Sequence, residues 1–196
     1  MNLIKNVQVA FEESVKTKLL AKDTLAEKVA IAGKLMADCL RADRKILSCG
    51  NGGSAADSQH FVGELINRLY IERRSLSAIA LNTDTSTITA IANDYSYDDI
   101  FAKPLSALGK NGDVLLVIST SGNSKNILQA IKIAHELNLV VIALTGCDGG
   151  KISKILRPND VEIRVPSKIV TRIQETHILI LHCLCELIDI QLFQNT

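Results

Sequence analysis

Residues 45–54 read KILSCGNGGS, and residues 114–124 read VLLVISTSGNS. Each begins as an apolar, β-branched run without polar alternation and ends in a loop of glycine, asparagine and hydroxyl residues. A strand that is apolar on both faces belongs in a sheet covered by helices on both sides. Runs of the same kind stand at Val140–Thr145 and Val161–Val165, with a less regular one at Ala78–Leu81. Segments of helical periodicity lie between them, at Ala55–Leu69, Asp99–Leu108, Lys125–Leu137 and Gly150–Leu156. This alternation predicts an α/β fold with a doubly wound, five-stranded parallel sheet flanked by helices.

Outside that core, Leu3–Leu40 reads as a pair of amphipathic helices, with Leu19, Leu20, Leu25, Val29, Ile31, Leu35 and Leu40 on apolar stripes. Ile169–Ile190 predicts a long C-terminal helix. Its stretch Ile178–Leu187 is too apolar for one buried face, which implies burial on several sides and a symmetric oligomer. With 196 residues the chain suits one domain, 1–196, in which 1–42 form the N-terminal helices and 43–196 the α/β core with the C-terminal helix.

Twenty-two Lys plus Arg against twenty-one Asp plus Glu leave a net charge of +1, so no long-range field gathers nucleic acid or an acidic membrane. Mean hydropathy is +0.19. The apolar runs Val114–Ile118, Val140–Leu144 and Ile178–Leu181 are nevertheless far shorter than the roughly 20 residues of a membrane span, and none is expected. The start, MNLIKNVQVAFEESVK, carries Glu12 and Glu13 where a secretory signal needs an uninterrupted apolar core, so the expected location is cytoplasmic. Cysteines are five, an odd number, and Cys39, Cys49, Cys183 and Cys185 sit in apolar surroundings that suit reduced core thiols. The Cys183–Cys185 spacing is too tight for a zinc ribbon.

The two loops that follow strands, Gly50–Ser54 and Ser119–Ser124, belong at one mouth of an open α/β sheet, where ligands bind beyond the strand ends. Glycines let backbone N–H groups approach an anion, hydroxyls donate further bonds, and a helix N-terminus behind each loop adds a positive dipole. Turn and N-cap chemistry explains either loop alone. Two in one sheet point to a phosphate. Neither matches a P-loop or a dinucleotide fingerprint, which disfavours a nucleotide.

Behind the first loop, Asp57, His60, Glu64 and Arg68 share one helix face, and His60 with Glu64 suits one metal ion or one substrate. Such a pair is also a common solvated helix face. On the C-terminal helix, Arg172, Gln174, Glu175, His177 and His182 interrupt an apolar sequence, so they need a satisfied network or a task. Gln174 and His182 stand two turns apart and suit one cavity. His177 reads as a hydrogen-bonded core residue.

The segments SCGNGGSAADSQHFVGEL, TAIANDYSYDDIF, GDVLLVISTSGNS, ALTGCDGG, DVEIRVPS and RIQETHILILHCL together resemble the sugar isomerase (SIS) fold family, and within it the phosphoheptose isomerases. These enzymes interconvert sedoheptulose 7-phosphate and D-glycero-D-manno-heptose 7-phosphate. The resemblance implies that Asn51, Gly52, Gly53, Ser54, Ser119, Thr120, Ser121 and Ser124 contact the substrate phosphate and hydroxyls. It implies that Asn93 and Asp94 hold the sugar chain, that Gln174 lies in the substrate site, and that Glu64 and His182 are the acid–base pair. It further implies a zinc site formed by His60, Glu64, Gln174 and His182, a homotetramer with shared sites, and a place in heptose supply for the lipopolysaccharide core.

A second branch of the same subfamily, a bacterial protein that associates with the replication initiator, resembles the chain at INR, AIALNTDT, TITAIAND, LCELID and the terminal LF. That branch implies the alternative of a non-catalytic tetramer that binds the DNA-replication initiator. Glu64 and His182 are both retained here, a departure from the catalytically silent pattern, and sites report chemistry where frameworks report ancestry. A sugar-phosphate-sensing regulator is disfavoured because residues 1–40 carry no basic recognition helix, so no direct nucleic-acid contact is expected.

Overall fold

Parallel pairing organises the molecule, seen here in a computed structural model that describes residues 2–194. The strands are β1 (Ile46–Gly50), β2 (Ala78–Ala80), β3 (Val114–Ser119), β4 (Val140–Thr145) and β5 (Val161–Arg164), in the spatial order β2-β1-β3-β4-β5. Ile46 stands beside both Ala78 and Val114, Val114 beside Val140, and Ile142 beside Val161. Strand order therefore reverses between β1 and β3, and the crevice at such a reversal is where open sheets bind ligands.

The helices are α1 (Leu3–Arg41), α2 (Gly53–Ile66), α3 (Thr85–Asp94), α4 (Ala102–Leu108), α5 (Lys125–Glu136), α6 (Ile152–Ile155) and α7 (Val170–Asp189). Alternating strand residues feed two cores. Ile46, Leu116, Ile118 and Ile142 pack with Met36, Phe61 and Leu184 under α1, α2 and α7. Leu47, Leu115, Val117 and Val141 pack with Ile91, Leu105, Ile127 and Ile152 under the remaining helices. The doubly wound reading holds. Met1, Asn195 and Thr196, which the expected domain 1–196 includes, lie outside the described residues.

The expected N-terminal pair is one helix. Leu3–Arg41 runs unbroken for 39 residues, roughly 58 Å at 1.5 Å per residue. Thr24 does not begin a second helix, because its Oγ1 donates to Leu20 O inside the continuing one. Gly33 also fails to break it, because a side chain there would meet Leu187 of α7 and the glycine serves close packing. What changes along α1 is its surroundings: Leu25, Val29, Ala32 and Met36 are buried, whereas Ile4, Val7, Phe11 and Val15 are exposed.

Other boundaries shift slightly. The expected helix at Asp99–Leu108 opens as a 3-10 turn at Tyr97–Asp99 before α4, and Gly150–Leu156 shortens to α6. Helix α3 lies in a stretch rich in β-branched threonine and isoleucine, which the sequence does not mark as helical. It is anchored by Asp84, whose side chain accepts from Thr87 N at 3.1 Å.

The segment Val170–Gln194 is, against expectation, long and apolar enough by composition to cross a membrane. Its setting makes it a core helix instead: α7 packs against α1 and α2 and carries buried Arg172, His177 and Asp189.

All five cysteines are free; Cys39, Cys49 and Cys185 are buried, and Cys147 is exposed. Burial pushes the Cys39 thiol up to about 12, which keeps it protonated and unreactive.

Candidate active site

Both anion loops leave the sheet at the β1–β3 reversal, as their sequence position predicts. Gly52 takes φ +55°, ψ −121°, which side-chain-bearing residues rarely adopt, and the turn delivers the chain into α2. Neither Gly52 before α2 nor Ser124 before α5 spends a side-chain bond on its helix, so both helix N-termini face the crevice without a side-chain cap. Ser119 Oγ lies 3.4 Å from Ser124 Oγ, and Ser121 Oγ accepts from Asn123 N at 3.2 Å. Thr120 is half-buried between them, and Ser54 is buried in the first turn of α2. The Gln174 amide lies against Gly53.

An amide pair unites the two loops. Asn51 Nδ2 donates to Asn126 Oδ1 at 3.0 Å, and Asn126 Nδ2 donates to Asn51 Oδ1 at 2.8 Å. The Tyr97 hydroxyl adds a bond to Asn51 Oδ1 at 3.3 Å. Sequence reasoning missed Asn126 and Tyr97. The available signal was slight: Asn126 is an amide in the first turn of the helix that follows the second loop, and the structure buries it.

Farther along α2 lies a second cluster. His60 and Glu64 are one turn apart, and His60 Nε2 lies 3.1 Å from Glu64 Oε1. From α7, 122 residues away in sequence, His182 brings its Nε2 to 3.2 Å from His60 Nε2, with the rings edge-on. One nitrogen of His60 thus faces two partners at once. All three donor atoms lie within 4.8 Å of one another, and a His–Glu–His set turned to a common point suits a divalent metal such as zinc.

Gln174 stands on the same helix as His182. It precedes His182 by two turns, roughly 12 Å along the axis, and its amide lies against Gly53. Of the four residues expected to hold a metal, His60, Glu64 and His182 bring their donor atoms within 4.8 Å of one another. Asn93 and Asp94 stand apart: both are exposed at the end of α3, joined to each other at 2.8 Å, with no side-chain hydrogen bond to the loops or the triad among the described residues.

The remaining residues on the α2 face divide. Arg68 pairs with Glu72 at the surface, at 3.4 Å. Asp57 is half-buried with Oδ2 unpartnered, and that burial raises its carboxyl pKa. On α7, Arg172 donates to Ala10 O at 2.6 Å and to Glu175 at 2.5 Å, tying α7 to α1. His177 is buried, its Nε2 donating to Thr145 O at 3.0 Å. It is the core residue expected, with Nδ1 unpartnered.

A family model, the SIS domain, matches residues 10–146. A phosphoheptose isomerase of Coxiella burnetii is 57% identical over 196 residues, covering 100% of this chain and 98% of the relative. The chain belongs to the phosphoheptose isomerases of the SIS family. A second phosphoheptose isomerase, from Shewanella sp. (strain ANA-3), is 55% identical over 97% of each chain. The solved phosphoheptose isomerase of Francisella tularensis superposes with a TM-score of 0.94 at 46% identity, covering 96% of this chain and 99% of that one. That of Neisseria gonorrhoeae gives 0.92 at 50% identity with the same coverage.

Proposed function

We propose that this chain interconverts D-sedoheptulose 7-phosphate and D-glycero-D-manno-heptose 7-phosphate. The observation that carries the reading is the meeting of His60, Glu64 and His182 on the helix that starts at the anion loop, in a chain related over its full length to phosphoheptose isomerases.

Aldose–ketose isomerisation moves one proton between C1 and C2 through a cis-enediol, with a second proton exchanged between O1 and O2. Glu64 takes the proton from one carbon and returns it to the other. His182 gives a proton to the carbonyl oxygen and recovers one from the neighbouring hydroxyl, so both residues end as they began. The loops at Gly50–Ser54 and Ser119–Ser124, joined by Asn51 and Asn126, hold the phosphate and thereby place the reacting carbons beside Glu64. Gln174, beside Gly53, contacts the bound substrate near its phosphate. Asn93 and Asp94 serve the sugar chain from the subunit boundary, consistent with their exposure in the single chain.

His60, Glu64 and His182, with Gln174 as the fourth ligand expected from sequence, would hold a zinc ion, which when bound supplies Lewis-acid polarisation of the substrate carbonyl. Purified protein should carry close to one zinc per chain by elemental analysis, and His60→Ala should lose it. Metal-free protein that retains full activity would leave the acid–base pair acting alone.

Our reading of a self-associating chain, as a homotetramer, is supported by the outer half of α1, which presents Leu3, Ile4, Val7, Phe11, Val15 and Leu19 to solvent. A second copy of the chain is the occupant that supplies an equal apolar stripe. The substrate points to a cytoplasmic enzyme in heptose supply for the lipopolysaccharide core. The alternative of a non-catalytic partner of the replication initiator has no support, since the relatives named above are isomerases and Glu64 meets His182's cluster intact.

The deciding assay incubates the protein with sedoheptulose 7-phosphate and follows the aldoheptose phosphate by NMR, beside Glu64→Gln. Product absent from the variant alone supports the reading; no product from the wild type, with or without zinc, sinks it.

A further inference from the structure

Helix α2 ends at Ile66 without a basic residue in its last turn, and Asn67 after it is not in a left-handed cap. Its terminal carbonyls are instead met from outside. Arg73, in the irregular segment 67–77, has a side chain only 2% exposed. Its Nη2 donates to Glu64 O at 2.9 Å, and its Nη1 donates to Leu65 O at 2.8 Å, Asn67 O at 3.0 Å and Arg74 O at 3.2 Å. Its Nε donates to Asp189 Oδ1 at 2.9 Å. Asp189, the last residue of α7, is also buried.

The placement of these bonds matters more than their number. Arg73 grips the backbone of Glu64, whose carboxylate faces His60 on the same residue's other side. Asp189 lies seven residues after His182, two turns along one face of α7. One guanidinium therefore joins the end of the helix bearing Glu64 and His60 to the end of the helix bearing His182. Only a planar fork with five donors can span a carboxylate and several carbonyls; an ammonium cannot.

We propose that Arg73, anchored by Asp189, is a positioning residue for the isomerisation: it pins the end of α2 to the end of α7 and sets the approach of Glu64 and His60 to His182. This rests on the acid–base role given above to Glu64 and His182. Displacement of reacting groups by about 1 Å costs on the order of 100-fold in rate, so a partial loosening is expected to be visible in turnover. The anion loops should be spared, because Gly53 lies eleven residues, roughly 16 Å along the axis, from Glu64.

Three full-length variants test this, each assayed for kcat and KM with the folded fraction of the same sample followed by circular dichroism. Arg73→Lys keeps the charge and loses the fork; its kcat should fall about tenfold or more with KM within about twofold. Asp189→Asn keeps an acceptor for Nε and should show the same split at about threefold, which decides the matter if Arg73→Lys does not fold. Glu64→Gln reports on the acid–base assignment itself. Folded Arg73→Lys or Asp189→Asn with wild-type kcat, beside an inactive Glu64→Gln, overturns the pin while leaving the site intact. Losses in kcat that track the folded fraction, or that come with an equal rise in KM, overturn it as well. Normal turnover by Glu64→Gln overturns the assignment on which the pin depends.

Discussion

The two ends of α2 are built by different means. At its N-terminus the anion loops are continuous stretches of sequence, rich in glycine and hydroxyls, that present backbone and short side chains. Near its C-terminus the triad is assembled from long side chains on two helices, 122 residues apart, and is held by packing and by a buried guanidinium. Binding groups can come from local chain geometry, because a phosphate accepts many donors. Proton transfer needs particular atoms at particular separations, and only tertiary contact supplies those.

The comparison breaks first at Glu64. Glu64→Gln should lower kcat by about 100-fold or more while leaving KM nearly unchanged, since general-base catalysis contributes about 10²- to 10⁴-fold. Steady-state kinetics decide it, and an equal loss in KM would move Glu64 to the binding side.

His177 asks whether polar groups on α7 outside the triad serve stability. Burial holds its imidazole down to about 4, against 6.5 for the ordinary group. Between those values the unfolded chain binds a proton that the folded chain does not. Its contribution is therefore whole above about pH 6.5 and declines as pH falls toward 4, by about 3 kcal/mol in all. Urea melts across that window should steepen accordingly in the wild type and flatten in His177→Gln.

At the other end of α2, Ser124→Ala should raise KM about tenfold with little change in kcat, as loss of one hydrogen bond to a charged group costs about 1.5–3 kcal/mol. A fall in kcat at constant KM would assign this loop to chemistry and erase the distinction between the two ends. The smallest effect on the fold is expected from Val15→Asp on the outer half of α1, within about 0.5 kcal/mol because the residue is 56% exposed. Light scattering should nonetheless show the proposed assembly fall apart, and a particle mass equal to that of the wild type would exclude this stripe from any interface.

Legibility in the sequence followed the same division. The strands, the two loops and the His60–Glu64 pair were readable because their signals are local: β-branched runs, glycine loops and one-turn helical spacing. The single long α1 was not, since a stripe that changes surroundings midway looks like two helices. Helix α3 escaped because Thr85–Asp94 is short and half β-branched, with Thr85, Thr87, Ile88, Thr89 and Ile91, a composition that reads against a helix. Gln174 and His182 share a helix, yet only packing revealed that the first lies against Gly53 and the second meets His60.

By itself, then, the sequence determined the α/β class, the order of the five strands along the chain, and two loops suited to an anion, because each depends on neighbours within a few residues. Tertiary structure alone decided that Asn126 would lock Asn51, that His182 would reach His60, and that Arg73 would close α2 on Asp189. Those contacts join segments 75, 122 and 116 residues apart, and such pairings arise only when burial of the sheet's two faces brings the helices together.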